Sequence, residues 1–355
     1  MEITHLNKRL IIITFFSFHI VKQYSFRLWL SMKKVLVTGG AGFIGYHLSK
    51  FLLNKGFNLT ILDNFSDYYS RDLKWLNAKE LEQLGATIIK GDILKKSDLL
   101  KALSSNCDVV FHLAAQPGVR FSTINPEQSL RINIEGTAQV LSVCKEWAIK
   151  KIVLASSSSV FGEKEYLPID ESHPKKPISF YGVSKLATER LVDVYRRLYS
   201  EMDISIIRPF TVIGARQRPD MAINSFVSRA LNDRKITIYG DGEQTRDWTN
   251  VINIVKAFYL AAITPEARNE SFNIGMGERT SVNQVLDLVS KITNKELELE
   301  YVEFDKADMR DTLADISKAK RILNYCPQGS IPDAIKDFVE DYQERIKNKN
   351  QSSSF

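Results

Sequence analysis

The sequence predicts an α/β protein: a doubly wound parallel sheet followed by a smaller mixed α/β region. Three observations carry this. From Met32 onward, short apolar runs alternate with segments of helical periodicity, the pattern of a parallel sheet covered on both faces. The first run leads into three glycines, Gly39, Gly42 and Gly45, at a strand-to-helix turn. Acids, hydroxyls and small residues then gather where later runs end, the edge at which open α/β sheets bind ligands.

Val35-Leu36-Val37 is an unbroken apolar run suited to a strand buried on both faces. Phe43, Ile44, His47, Leu48, Phe51 and Leu52 follow at helical spacing. Residues without a β-carbon allow the tight turn between them and let backbone N–H groups approach a pyrophosphate at the positive end of the helix. The second strand, Leu59–Leu62, ends at Asp63, where a carboxylate can accept hydrogen bonds from an adenosine ribose and disfavours a 2′-phosphate. The third strand, Thr87–Ile89, exits through Gly91-Asp92-Ile93, and a short helix follows over Ser97–Leu103 with Ser97 as its expected cap.

The fourth strand runs through Asp108–Ala115, its terminal small residues letting backbone lie against a ligand. Pro126 opens a helix reaching Glu146, with Asn133 inside it. The fifth strand, Lys151–Ala155, runs straight into Ser156-Ser157-Ser158-Ser159. Tyr181 and Lys185 then stand at i, i+4 on the face of a helix continuing to about Tyr199. The sixth strand, Ile204–Ile207, ends at Arg208-Pro209. Beyond it, helices are expected near 221–233, 252–263, 281–294 and 331–347, and short strands near 236–239, 271–274 and 297–301. Arg216, Arg218, Arg246 and Arg310 stand out in loops there.

Composition narrows the function. The chain has 355 residues, 44% hydrophobic and 25% charged, ordinary for a globular protein. The net charge of +6 is spread along the chain with no basic stripe bearing aromatics, so no nucleic-acid partner is expected. Cys107, Cys144 and Cys326 are far apart and the histidines are unpaired, so neither a metal site nor a disulfide framework is predicted. A reducing, cytoplasmic setting fits.

Residues 1–31 differ from the rest. Lys8-Arg9 precede an apolar run, Leu10–Val21, too short to span a bilayer and without a small-residue cleavage site after it. Met32-Lys33-Lys34 reads as the natural start, so residues 1–31 are expected to be an extension outside the fold; a membrane-surface anchor is the lesser reading. The expected organisation is a cofactor-binding domain over 32–207, a substrate-binding region over 208–345 partly interleaved with it, and a disordered tail over 346–355.

Taken together, Gly39-x-x-Gly42-x-x-Gly45, Asp63, Gly91-Asp92, the serine run, Tyr181-x-x-x-Lys185 and Arg208-Pro209 resemble the extended short-chain dehydrogenase/reductase family, whose members are nucleotide-sugar epimerases and dehydratases. Within it, Asp63-Asn64-Phe65 with Asp67-Tyr68-Tyr69, His112–Arg120, Arg216–Ala222 and Gly240–Asp247 look like UDP-glucuronate 4-epimerases. The resemblance implies a Rossmann-type domain, tightly held NAD, a UDP-sugar substrate and a homodimer.

It also implies the site. Tyr181 would be the general base and acid at the sugar 4-hydroxyl, Lys185 and the positive nicotinamide ring would favour its phenolate, Lys185 would also hold the nicotinamide ribose, and Ser157 would bond the same 4-oxygen. NAD would lie against Gly39, Gly42, Phe43, Ile44, Gly45, Asp63, Asn64, Asp92, Ile93, Leu113, Ala114, Ala115 and Gln116, as well as Tyr181 and Lys185. Arg246 and Arg310 would clamp the diphosphate, and Ser157, Ser158, Ser159, Thr211 and Arg218 would hold a sugar carboxylate. The chain departs from the family pattern at Phe161, Phe180, Ile213 and Ala215. UDP-glucose or a UDP-N-acetylhexosamine remains an alternative substrate. A dehydratase or decarboxylase is another reading, although those relatives place an acid where Ser158 and Ser159 stand here. A sensor that binds NAD without chemistry would have no need of Tyr181, Lys185 and Ser157.

Overall fold

The computed structural model describes residues 34–103 and 106–352. The extension expected over 1–31 lies outside the described residues, as do residues 353–355 of the expected tail.

Each apolar run becomes a strand of one sheet: β1 (Lys34–Thr38), β2 (Asn58–Asp63), β3 (Thr87–Lys90), β4 (Val109–His112), β5 (Lys151–Ala155) and β6 (Asp203–Pro209). Beyond it come β7 (Thr211–Ile213), β8 (Ile236–Tyr239), β9 (Thr245–Arg246), β10 (Trp248–Asn250) and β11 (Ser271–Ile274). β11 returns to the first half and pairs with β6, giving a seven-stranded parallel sheet in the order β11-β6-β5-β4-β1-β2-β3. Val35 pairs with Leu59 on one side and Val109 on the other. The order reverses beside β1, so the ends of β1 and β4 open a crevice at the switch point.

Helices cover both faces. The main ones of the first half are α1 (Phe43–Asn54), α2 (Arg71–Gln83), α3 (Lys96–Ala102), α4 (Val119–Ile124), α5 (Pro126–Leu130), α6 (Gly136–Glu146) and α7 (Phe180–Leu198). Those after β6 are α8 (Ala222–Leu231), α9 (Val251–Ile263), α10 (Val282–Thr293), α11 (Ser317–Leu323) and α12 (Ile331–Ser352). One core layer joins α1 and α9 to the sheet through Phe43, Leu48, Phe111 and Phe258; the other uses Leu36, Val110, Leu141, Ile152 and Val192. A third core, with Ile223, Val227, Ile236, Val285 and Phe338, belongs to the second half. There β8 pairs with β13 (Leu299–Val302), and β9 with β12 (Thr280–Ser281).

Several local outcomes differ from the sequence reading. The fourth strand, expected over Asp108–Ala115, is Val109–His112. α3 starts at Lys96, and Ser97 lies inside it; Lys95 is the capping position and makes no side-chain cap. Acids order that turn instead, Asp98 accepting from the Asp92 N–H and Asp92 from the Leu94 N–H. The helix expected from Pro126 to Glu146 is interrupted by a π-helical segment at Arg131–Glu135. The last helix continues past residue 346 to Ser352, where a disordered tail is expected; its Gln, Glu, Arg and Lys residues are good helix formers. Among the described residues, no helix is long and apolar enough to cross a membrane.

Candidate active site

The glycine turn forms as its composition predicts. Gly39 has φ +72, and a β-carbon there would sit 2.7 Å from the Ala114 nitrogen. One at Gly45 would sit 2.1 Å from the Gly39 carbonyl oxygen, so helix and turn touch backbone to backbone. α1 begins after Gly42 without a side-chain cap, which leaves the N–H groups of its first turn without an intrahelical acceptor. That is an anion seat.

Around it lies a cleft of about 860 Å³. Of the expected cofactor residues, Gly39, Gly42, Phe43, Ile44, Gly45, Asp63, Asn64, Asp92, Ile93, Leu113, Ala114, Ala115, Gln116, Tyr181 and Lys185 all line it. Asp63 is buried, its oxygens accepting from the Ala41 N–H at 3.1 Å and the Phe65 N–H at 2.9 Å. Burial raises its pKa, opposed by those N–H groups and by Lys74. A carboxylate has about four acceptor positions, so ribose hydroxyls can still be received there. The bare turn, uncapped helix and buried acid fit a dinucleotide without a 2′-phosphate.

Across the cleft, β5 and α7 bring the reactive side chains together. Ser157 accepts from the Ser159 N–H at 3.1 Å and shares a hydroxyl bond with Ser159. Ser179 caps α7 by accepting from the Gly182 N–H at 3.0 Å. Lys185 is buried and donates to the Ala155 carbonyl at 2.8 Å, its Nζ lying 5.9 Å from the centre of the Tyr181 ring. Burial pulls its pKa down to about 8 while Glu189, one turn on, pulls the other way. Burial raises the Tyr181 pKa; the charge of Arg218 and a hydrogen bond with Ser157 oppose it. The charge of Arg218 therefore favours the phenolate from the substrate side of the cleft.

Other residues support this arrangement; Ser122 and Ser184 among them show no sequence signal of their own. The Tyr181 N–H donates to Ser122 at 3.0 Å, and its carbonyl accepts from Ser184 at 2.7 Å. Asn133, in the π-helical segment, donates to Ser184 at 2.8 Å and to the Gln116 carbonyl, and accepts from the Gln116 N–H at 2.7 Å. π-Helical turns are frequent at functional sites, and this one ties the β4 exit to the start of α7. His112 bonds Thr38 and Thr137, and burial lowers its pKa to about 3, so it is a neutral link between strand and helix. Arg120, inside the quoted His112–Arg120 segment, stacks on Tyr239 at 3.7 Å, pairs with Asp305 at 3.3 Å and lines the cleft.

The second half supplies the far wall. Thr211, Arg218 and Arg246 line the cleft there, as Ser157, Ser158 and Ser159 do from the first half. Arg246 is held by Asp308 at 3.0 Å and by the carbonyls of Thr245 and Arg310. Arg310 is not brought to the site: its half-exposed side chain pairs with Asp241 at 3.0 Å outside the cleft lining. Arg216 is structural, joining Asp341, Asn77 and Glu80. Phe161 is buried against His173, Phe180 is exposed at the start of α7, and the Ala215 carbonyl bonds His47. Among the described residues, no cluster of three His, Cys, Asp or Glu residues could hold a metal ion.

The model of the NAD dependent epimerase/dehydratase family matches residues 35–275. The chain belongs to that family. Its cofactor is NAD. It is 40% identical over 309 residues to an uncharacterized UDP-glucose epimerase of Bacillus subtilis, covering 86% of this chain and 96% of that one. It is 36% identical over 315 residues to the UDP-glucuronate 4-epimerase of Thermodesulfobacterium geofontis, covering 88% and 97%. The crystal structure of UDP-glucuronic acid 4-epimerase from Bacillus cereus with UDP-glucuronic acid and NAD superimposes with a TM-score of 0.82 at 37% identity, covering 88% and 99%.

Proposed function

We propose that UDP-glucuronate is the substrate of this NAD-dependent UDP-sugar 4-epimerase, and that the product is UDP-galacturonate. The observation that carries the choice of sugar is Arg218: it lines the cleft with the Ser157–Ser159 run, and its charge reaches Tyr181. An anionic sugar suits a cation beside the reactive phenol. The UDP-glucuronate 4-epimerases among the relatives point the same way.

Tyr181, as phenolate, takes the proton of the 4-hydroxyl as C4 becomes a carbonyl, and returns it after the sugar has turned to present its other face. Bound NAD supplies the acceptor and then the donor of the C4 hydride. Ser157 bonds the 4-oxygen and steadies Tyr181. Lys185 holds the nicotinamide ribose hydroxyls, its carbonyl partner Ala155 fixing its reach. Asp63 takes the adenosine ribose and the first turn of α1 the pyrophosphate. Arg246 grips the substrate diphosphate while the sugar turns. The 4-keto intermediate of a glucuronate is a β-keto acid prone to lose carbon dioxide; Ser157, Ser158, Ser159, Thr211 and Arg218 hold its carboxylate in an orientation that resists this.

The same proposal makes residues 32–207 the cofactor domain and 208–345 the nucleotide-sugar region. It also pairs two copies along α7, where Val183, Val194 and Leu198 are 43%, 52% and 63% exposed; light scattering that finds only monomer would contradict the pairing.

UDP-glucose is the second reading, favoured by the Bacillus subtilis relative. Proton NMR of purified protein with each UDP-sugar, without added cofactor, separates the two. UDP-galacturonate from UDP-glucuronate supports the proposal; turnover of UDP-glucose alone supports the second reading, and UDP-xylose or a 4-keto pentose means a lyase.

A further inference from the structure

In the cleft wall Arg218 already holds a carboxylate. Its Nε and Nη2 donate to the two oxygens of Asp220 at 3.0 and 3.1 Å. Tyr68 donates its hydroxyl to the same Asp220 at 2.9 Å, although the two residues lie in different halves of the chain. Tyr68 is itself held in place: its ring meets Phe121 edge-on at 4.9 Å, and its hydroxyl sits 2.4 Å from where a β-carbon at Gly118 would be. The Arg218 guanidinium lies 5.9 Å from the centre of the Tyr68 ring. Tyr68, Arg218 and Asp220 all line the cleft.

The fork of a guanidinium takes one carboxylate on a given edge. While Asp220 occupies the Nε–Nη2 edge, that edge is closed to a ligand and part of the charge of Arg218 is offset. We propose that Asp220 is a specificity-determining residue: it competes with the sugar carboxylate of the ligand for Arg218, and Tyr68 holds it in the competing position. This rests on the reading of Arg218 as the carboxylate site of a UDP-uronate. A neutral sugar has no group to displace Asp220, so the contest affects only the anionic ligand. The exchange sets how strongly the site prefers UDP-glucuronate to UDP-glucose.

Asp220→Asn keeps the shape and an acceptor for Tyr68 but removes the competing charge. In calorimetry on the NAD-loaded enzyme, the ratio of UDP-glucuronate to UDP-glucose affinity is expected to rise by roughly threefold or more, because a charge-assisted bond to Arg218 becomes available to the ligand. Tyr68→Phe, which only loosens Asp220, is expected to raise the same ratio by less. A smaller rise for Asp220→Asn, or a fall, overturns the proposal. Turnover is read separately by proton NMR. A risen ratio without conversion of UDP-glucuronate sinks the substrate reading and keeps the role of Asp220; conversion with an unmoved ratio does the reverse.

Discussion

Arg208 and Glu189 form a bidentate pair at 2.7 and 2.8 Å, each side chain 4% exposed, one helical turn beyond Lys185. Glu189 also accepts from Ser156 at 2.6 Å. The pair thus braces the β5 exit between Ala155, which receives Lys185, and Ser157, which bonds Tyr181. Burial pushes the Glu189 pKa up, but Arg208 and Ser156 outweigh it and hold the carboxyl below its usual range. Glu189→Gln leaves a buried arginine uncompensated and is expected to cost about 3–5 kcal/mol in urea unfolding. A cost below about 1 kcal/mol would show that the pair is not a brace.

Lys185 gives stability a pH signature. Its folded pKa, about 8, lies below the ordinary 10.5. Between those values the unfolded chain holds a proton that the folded chain has released, so stability rises with pH across that window. Below it the buried charge costs about 3 kcal/mol. Lys185→Met lacks this dependence. The difference in unfolding free energy between wild type and variant is therefore expected to shift toward wild type as pH climbs from 8 to 10.5. A flat difference would mean that Lys185 keeps its ordinary pKa.

Arg246 and Arg310 look alike in sequence and differ in place, the first in the cleft wall and the second outside it. Arg246→Ala is expected to raise KM for the UDP-sugar about tenfold or more, the loss of a charge-assisted bond to phosphate. Arg310→Ala should change it by less than about twofold. Steady-state kinetics decides, and equal effects would contradict the placement.

The glycine turn predicts a contrast between two alanines. Gly45→Ala drives a β-carbon into the Gly39 carbonyl, which cannot move aside without opening the turn. NAD retained through gel filtration is expected to fall about tenfold or more. Gly56→Ala, with nothing within 4 Å, strains only its own φ of +82 and should keep its NAD. Equal retention by both variants would contradict the pyrophosphate seat.

How much of this was legible in the sequence follows from the range of each interaction. β1, the turn at Gly39–Gly45 and Asp63 are short-range patterns of burial period and missing β-carbons, and they read directly. α2 does not, because Lys74 and Asn77 fall among its buried positions and break the apolar stripe. The π-helical segment is invisible because Arg131–Glu135 keeps ordinary helical spacing; its form accompanies the bonds Asn133 makes to Gln116 and Ser184. The Tyr68–Asp220 bond joins distant parts of the chain, and no local pattern announces such a contact. Family resemblance supplied Arg310 by residue type, but type does not fix the direction of a side chain on a loop.

The central claim is that the hydrogen on C4 leaves and returns without meeting water. UDP-glucuronate carrying deuterium at C4, incubated with the purified protein and no added cofactor, tests this most directly by NMR. The account predicts UDP-galacturonate with deuterium fully retained at C4. Protium at C4 of the product, or a product that has lost its carboxylate, would contradict it.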